Sequence, residues 1–239
     1  MRSVLLKAVL CSVLFKTPLT AVAADTTSPI TPFKAIYTSE WDIGIALSGE
    51  VERSLSKTAD GKWLFRTFAN TMVASIDESS VVTFNNREVI PLEYLYKKKV
   101  LGRKREAKLS FNWPEMSVKN NVDDKPWKMT IPAHTQDKLS YQLQMRIDLK
   151  SGKRGPFTYK IADGGRLKEY DFKVVGEEVI QSPLGKFETI KVEMDRGANA
   201  TRETFIWYAP ALDFMIVKLK QTEADGKVYA LHLKSMEKR

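Results

Sequence analysis

Short turn-forming sequences recur along most of this chain, and they constrain its fold more than any other feature. They are Asp60-Gly61, Asn85-Asn86, Leu101-Gly102, Asp123-Asp124, Asp163-Gly164-Gly165, Pro183-Leu184-Gly185, Arg196-Gly197-Ala198-Asn199 and Asp225-Gly226. Between these turns apolar and polar residues often alternate, as at Tyr229, Leu231 and Leu233. Alternation is typical of half-buried antiparallel strands, because successive side chains point to opposite faces. The pattern predicts consecutive β-hairpins and a mainly β fold.

The longest alternation begins at Trp41, after which the odd positions carry Ile43, Ile45, Leu47, Val51 and Leu55. If residues 41–57 form one strand, their length at about 3.3 Å per residue is roughly 56 Å, and so long a strand cannot stay flat. Gly44 and Gly49 lie within it, where a missing side chain allows a bulge or a sharp bend. We therefore predict a single antiparallel, strongly curved sheet, either a half-barrel or an incomplete barrel.

Residues 137–150 carry two conflicting signals. Leu139, Tyr141, Leu143, Met145, Ile147 and Leu149 alternate strictly, which would support a strand. The composition favours a helix, because Leu, Gln, Met, Arg and Lys are helix formers and Thr135 or Asp137 offers an N-cap. We predict the helix and keep the strand as the alternative. Since the alternating residues would then spread over most of the helix circumference, we expect it to be largely buried as a plug near the concave face of the sheet.

The N-terminal segment has the order of a secretory signal peptide. Basic residues come first, then an apolar run from Ala8 to Phe15, then small residues ending at Ala24. The apolar run is too short to span a bilayer, which needs about 20 residues. We predict cleavage near Ala24 and a periplasmic location in a bacterial cell envelope. Cys11 is the only cysteine and would leave with this segment, so we expect no disulfides.

The remaining 215 residues have a length that one β domain can fill. Residues 25–32 are rich in Thr, Ser and Pro, which predicts a short flexible leader. Residues 33–236 are the predicted domain. The chain after residue 24 is moderately basic, since residues 25–239 hold 35 Lys and Arg against 29 Asp and Glu.

Familiar catalytic and cofactor patterns are missing from residues 25–239. This part has no cysteine and only two histidines, His134 and His232, and it shows neither a nucleophile elbow nor a phosphate-binding loop. Zinc sites need several close His or Cys ligands, and none are spaced that way. We predict a protein that is not an enzyme and that has no metal or cofactor.

Two features are candidates for binding. The first is a basic segment, residues 97–108, with seven basic residues and one acidic residue: Lys97, Lys98, Lys99, Arg103, Lys104, Arg105 and Lys108 against Glu106. Its position predicts two strands meeting at Gly102, with the charges at a hairpin tip. The alternative is a solvated hairpin whose lysines only prevent edge pairing. The second candidate is Asp163 with Arg166, which could hold a charged group; the alternative is a tight turn made by two glycines.

From Tyr94 onward the chain resembles the bacterial exported proteins classed as domain of unknown function 3108. The residues that carry the resemblance are Phe111-Asn112-Trp113, Thr135-Gln136-Asp137-Lys138-Leu139-Ser140, Ala162-Asp163-Gly164-Gly165-Arg166-Leu167-Lys168, Ser182-Pro183-Leu184-Gly185-Lys186 and Trp207-Tyr208-Ala209-Pro210. It extends over about residues 33–236 and implies a periplasmic β-rich domain without an established activity. At the level of architecture, a curved sheet with a helix in its concavity is also similar to periplasmic lipoprotein carriers, whose half-barrels shelter acyl chains.

These observations lead to two hypotheses about function. The first is a non-enzymatic envelope protein that binds a lipid or other amphiphile in the concave face, with the basic hairpin on an anionic membrane surface. The second is a scaffold or assembly factor that binds another envelope protein through a sheet edge or the basic hairpin. We do not expect nucleic acid as a partner, because export separates the protein from it and residues 97–108 lack aromatic side chains for base stacking.

Overall fold

The computed structural model describes residues 28–42, 46–71, 74–197 and 199–238. These residues form fifteen strands and one α-helix. The strands are β1 Phe33–Asp42, β2 Ala46–Lys57, β3 Trp63–Asn70, β4 Ala74–Asn85, β5 Glu88–Val100, β6 Arg103–Asn112, β7 Ser117–Val122, β8 Lys125–Thr130, β9 Gln136–Asp137, β10 Phe157–Asp163, β11 Arg166–Ser182, β12 Gly185–Asp195, β13 Glu203–Ala209, β14 Met215–Thr222 and β15 Val228–Lys238. The helix α1 is Ser140–Lys150, and a 3-10 turn covers Pro210–Leu212.

All fifteen strands belong to one sheet, in the order β8-β7-β6-β5-β4-β3-β2-β1-β15-β14-β13-β12-β11-β10-β9. The first and last strands of the chain therefore pair with each other at the centre of the sheet. From this pair, successive hairpins run outward in both directions, as the turn signals predict. Within the described part of the chain β8 and β9 are the two edges, and the sheet does not close into a barrel.

One strand pair corrects the prediction of a purely antiparallel sheet. β9 pairs with β10 in parallel, through Gln136 opposite Ile161 and Asp137 opposite Ala162. The physical reason is the connection, because α1 lies between these two strands and returns the chain in the same direction. The rest of the sheet is antiparallel over the pairs that the structure describes.

The prediction of one continuous strand over residues 41–57 is wrong. β1 ends at Asp42 and β2 begins at Ala46, and the two strands form an antiparallel hairpin in which these two residues are opposite each other. Gly44, with Ile43 and Ile45, lies outside the described residues. Gly49 lies within β2 opposite Ser39, in a register without a bulge.

The prediction of a helix after residue 137 is confirmed, and the strand alternative is wrong. The helix begins three residues later than predicted, at Ser140. The N-cap is Leu139 rather than the predicted Thr135 or Asp137. Asp137 nevertheless stabilises the start of the helix, because its Oδ1 accepts hydrogen bonds from the backbone N–H groups of Leu139 and Ser140, at 2.8 and 2.7 Å. These bonds satisfy donors that the first turn of a helix leaves unpaired.

The alternating side chains of α1 are buried on two sides. Leu139, Leu143 and Ile147 pack in a core cluster with residues of β1–β7, β10, β11 and β13–β15. Tyr141, Met145 and Leu149 pack in a second cluster with residues of β10–β14. The helix therefore contributes to both core clusters, and we call the face of the sheet that packs on α1 the helix-side face. None of the helices in the described ranges is long and apolar enough to cross a membrane.

Parts of the sheet that are far apart in strand order make direct contact. Gln136 on β9 donates a hydrogen bond from Nε2 to the carbonyl of Val89 on β5, at 2.7 Å. Ser80 on β4 donates to Oδ2 of Asp137, at 2.6 Å. β5 and β9 are eleven positions apart in the sheet order.

The described end of the predicted leader packs against this core. Ile30 is buried in the first cluster, and Lys150 donates a hydrogen bond to the carbonyl of Pro29 at 3.2 Å. Burial of Ile30 therefore holds this end of the segment against the core. The predicted signal peptide, residues 1–24, lies outside the described residues.

Candidate functional site

The basic segment forms the hairpin of β5 and β6, as predicted. Lys97 is opposite Glu106, Lys98 opposite Arg105, and Lys99 opposite Lys104. The turn is Leu101-Gly102, and both residues have positive φ, at 48° and 81°. Two central residues with positive φ match the right-handed twist of the flanking strands, so this short turn suits a hairpin.

The seven basic residues of this hairpin are divided between the two faces of the sheet. Residues directly opposite each other in an antiparallel pair share a face. Tyr96 is opposite the buried Ala107, which fixes the even positions of β5 and the odd positions of β6 on the helix-side face. That face receives Lys98, Arg103 and Arg105, and the opposite face receives Lys97, Lys99, Lys104 and Lys108.

The second candidate, Asp163 with Arg166, flanks the two-residue turn Gly164-Gly165 between β10 and β11. Both residues lie on the helix-side face, because Asp163 continues the alternation of the buried Ile161 and is opposite Arg166. Lys168 donates a hydrogen bond to Oδ2 of Asp163 at 2.6 Å. Lys138 lies 3.7 Å from Oδ1 of the same carboxylate. Arg166 is exposed and has no polar partner within the described ranges, so the turn is locked by Lys168 rather than by Arg166.

Burial raises the pKa of Asp163, but the hydrogen bond from Lys168 and the charges of Lys138 and Arg105 outweigh it, so the pKa is lowered overall. Arg105 belongs to the basic hairpin. The charge of Arg105 thus acts on Asp163, although the two residues are more than fifty positions apart in the sequence. We call Tyr96, Arg105, Lys138, Asp163, Arg166 and Lys168 the rim cluster.

Three members of the rim cluster were not predicted from the sequence. Lys138 and Lys168 lie inside the family motifs, but a single lysine in such a segment does not by itself indicate a binding site. Tyr96 lies under Lys138, whose Nζ is 5.7 Å from the ring centroid. Among the members of the cluster there are four cationic side chains and one carboxylate, so the rim is strongly basic.

Two carboxyl groups lie beneath the rim cluster. Tyr94 donates a hydrogen bond to Oε1 of Glu78 at 2.6 Å. Burial raises the pKa of Glu78 despite this bond and the charge of Lys138. Burial also raises the pKa of Asp137, whose two oxygens accept bonds from Ser80 and from the start of α1. Asp137 is thus fully occupied in holding the helix. The described residues contain no group of three His, Cys, Asp or Glu side chains placed for a metal.

The fold places the chain in the class of mainly β proteins, with one fifteen-stranded sheet and one α-helix among the described residues. The chain belongs to the protein-of-unknown-function family DUF3108, whose model matches residues 38–233. No curated protein matches the sequence.

A solved structure has a similar fold. The chain is similar to the crystal structure of a β-barrel-like protein of domain of unknown function DUF1849 from Brucella abortus, with a TM-score of 0.58, 10% identity, and coverage of 88% of this chain and 98% of that one. It is more weakly similar to a putative lipoprotein from Parabacteroides distasonis, with a TM-score of 0.33, 11% identity, and coverage of 87% and 96%.

Proposed function

We propose that this protein is a non-enzymatic, exported binding protein of the bacterial cell envelope that holds a lipid or other amphiphile with an anionic head group at the rim cluster. The observation that carries the proposal is the charge balance there. Lys168 and Lys138 lie 2.6 and 3.7 Å from the carboxylate of Asp163, Arg166 is directly opposite it, and Arg105 lies on the same helix-side face. Cations that outnumber their acidic partners on a partly buried surface favour an anionic ligand.

The proposal includes a strongly curved sheet, whose concave face would adjoin the rim cluster, and one hydrogen bond supports this curvature. Eleven strand spacings of about 4.8 Å would separate β5 from β9 by about 53 Å in a flat sheet. Gln136 and Val89 nevertheless share a hydrogen bond across these strands. The proposed shape is a half-barrel whose concave face holds α1.

The core of this half-barrel limits where a ligand binds. Leu143, Met145 and Leu149 of α1 are buried against the sheet, so the interior is filled with side chains. The proposed site is therefore the rim rather than the length of the concavity. Aromatic surface for an apolar tail lies beside the charges, on Tyr96, Tyr170 and the partly exposed ring of Trp127.

The alternative role, an assembly factor that adds a strand of another envelope protein to a sheet edge, has less support. The exposed edge strand β8 contains Lys125, Pro126 and Lys128. Proline has no N–H to donate, and edge lysines oppose pairing with another strand. A partner protein would have to use the basic hairpin instead.

The test is native mass spectrometry and lipid extraction on protein purified from the periplasm of a bacterial host. N-terminal sequencing of the same sample should start near Asp25. We expect a bound amphiphile on the parent and its loss from the variant Arg105→Gln, Lys138→Gln, Lys168→Gln. The matched control is Lys119→Gln, Lys160→Gln, Lys173→Gln, which removes three lysines from the opposite face and should keep the ligand. A ligand-free parent that takes up no lipid would overturn the proposal.

A further inference from the structure

The tip of the basic hairpin carries a residue that folding does not explain. Leu101 is 77% exposed and has a φ of 48°. Glycine or asparagine adopts this left-handed conformation at lower cost than leucine, and neither exposes an apolar side chain. An exposed apolar residue between two runs of basic residues has the composition of a segment that enters a membrane interface.

The opposite face of the same hairpin presents unpaired positive charge beside an exposed ring. A groove of about 480 Å³ lies there, lined by Lys97, Lys99, Lys104 and Phe68, which is 37% exposed. Lys99 and Lys104 are directly opposite each other, and neither has an ion-pair partner among residues 28–42, 46–71, 74–197 and 199–238.

The acidic residues of this groove do not cancel that charge. Asp77 is held by Arg66, whose Nε and Nη2 donate hydrogen bonds to its two carboxylate oxygens at 2.7 and 2.8 Å. Glu106 lies 3.7 Å from Lys97. Lys99 and Lys104 thus remain available to an anion from outside the protein.

We propose that this face and tip of the hairpin dock the protein on a bilayer that contains anionic lipids. Leu101 enters the boundary between head groups and acyl chains, while Lys97, Lys99 and Lys104 contact lipid phosphates. Complementary charge selects this occupant, and the exposed leucine favours a bilayer over a soluble phosphate. The proposal rests on the envelope location in the proposed function but uses the other face of the hairpin, so the two sites can be tested separately.

The experiment places an environment-sensitive fluorophore at the tip through Leu101→Cys, with Cys11→Ser to keep the label unique. The probes are vesicles of phosphatidylglycerol and phosphatidylcholine in a one-to-three ratio, with pure phosphatidylcholine vesicles for comparison. We expect a blue shift only with the anionic vesicles, and weaker binding as salt screens the charges. Inorganic phosphate should neither produce the shift nor compete at millimolar concentration. Binding of phosphate without binding of vesicles would show a soluble-anion site and overturn the proposal.

Two triple variants supply the specificity control in a sedimentation assay with unlabelled protein. Lys97→Gln, Lys99→Gln, Lys104→Gln should weaken vesicle binding by roughly 100-fold before screening, at about fivefold per lysine. The matched variant Lys119→Gln, Lys160→Gln, Lys173→Gln removes three lysines from the same face of the sheet but outside the hairpin, and it should weaken binding much less. Leu101→Asn suits the turn and should still weaken binding roughly tenfold or more, because it removes the inserted side chain. If both triple variants lost vesicle binding equally and Leu101→Asn had no effect, binding would depend on non-specific charge alone, and the docking mode would be refuted.

The outcomes also separate this inference from the proposed function. If vesicle binding fails while the purified protein still carries an amphiphile, only the docking surface is wrong. If the protein docks on vesicles but never carries an amphiphile, only the ligand site at the rim cluster is wrong.

Discussion

The indole ring of Trp127 occupies the space that a side chain at Gly165 would fill. A Cβ added to Gly165 would lie 1.1 Å from Cζ2 of Trp127 and 2.1 Å from its Cη2. Trp127 is on the edge strand β8, and Gly165 is in the turn between β10 and β11. The contact joins one edge of the sheet to a turn near the other edge. The second glycine of the Asp-Gly-Gly-Arg motif, which has no side chain, therefore leaves room for the indole ring.

Gly165→Ala should therefore destabilise the protein more than an ordinary glycine substitution. Gly164→Ala is the matched control, because that residue also has a positive φ, 53°, but no atom lies within 4 Å of the added Cβ. The control should lose about 1–2 kcal/mol of unfolding free energy from the backbone conformation alone. Gly165→Ala should lose about 1–3 kcal/mol more, because the tryptophan must move. Urea denaturation measures both.

Hydrogen exchange locates the damage. Amides of β7 and β8 should lose protection in Gly165→Ala, whereas those of the central pair β1 and β15 should keep theirs. In a Trp127→Ala background the extra cost of Gly165→Ala should disappear, since the collision is gone. If Gly165→Ala and Gly164→Ala were equally stable, the ring of Trp127 would not pack against Gly165 in solution.

Much of the fold follows from local sequence. The turn at Leu101-Gly102 and the hairpin around it are predicted from the charge and turn pattern, and composition identifies α1 against its strand-like alternation. The alternation misleads at residues 41–57 for a geometric reason. In the β1–β2 hairpin Tyr37 is opposite Val51 and Phe33 is opposite Leu55, so opposite residues are both odd. Apolar residues therefore stay at odd positions in both β1 and β2, and the sequence pattern looks like that of one long strand.

The candidate site is less accessible to sequence reasoning. Lys98 and Lys99 are neighbouring lysines in one basic run, yet they lie on opposite faces of the sheet, and only Lys99 belongs to the proposed docking surface. The contacts around Asp163 depend on how far the sheet bends, which no local pattern encodes. Lys138 approaches it only because Asp137 fixes the start of α1 beside β4.

The ion pair of Arg66 and Asp77 should make stability depend on pH. The hydrogen bond from Arg66 lowers the pKa of Asp77 from its ordinary value of 3.8. A lowered pKa contributes stability that is present above 3.8 and is lost as the pH falls through the folded-state value. Because the side chains are 41% and 34% exposed, the contribution at neutral pH should be at most about 1 kcal/mol.

Asp77→Asn tests this sign through unfolding free energies measured from neutral pH down to acid. The variant should be less stable than the parent at neutral pH, and the difference should shrink steadily below about pH 4. The cycle with Arg66→Gln isolates the pair, and its coupling energy should vanish at low pH. A difference that stayed constant with pH would show that packing rather than charge is responsible.

Arg146 and Arg53 are both buried arginines, but their polar atoms are satisfied differently. Arg146 is 4% exposed, and its Nη2 donates to the carbonyl of Asp213 at 3.0 Å. Its Nε and Nη1 have no hydrogen-bond partner among the described residues. Arg53 donates to Oε1 of Gln142 at 2.6 Å and to Oγ1 of Thr67 at 3.3 Å. Burial lowers the pKa of Arg146, because desolvation disfavours the charged form of the guanidinium.

Arg146→Met should therefore lower the unfolding free energy less than Arg53→Met does, because it replaces an incompletely paired buried charge with an apolar side chain of similar length. The substitution removes the donor to the carbonyl of Asp213 and the ion pair between Nη2 and Oδ2 at 3.8 Å, but Oδ1 of Asp213 keeps its ion pair with Lys150 at 2.6 Å. Arg53→Met should lower the unfolding free energy by about 1–3 kcal/mol, since it leaves Oε1 of Gln142 without its donor. Arg146→Ala should fall about 2–5 kcal/mol below Arg146→Met because of the cavity. Thermal and urea unfolding of the three variants distinguish these cases, and a loss from Arg146→Met as large as that from Arg53→Met would mean that Arg146 is fully satisfied in solution.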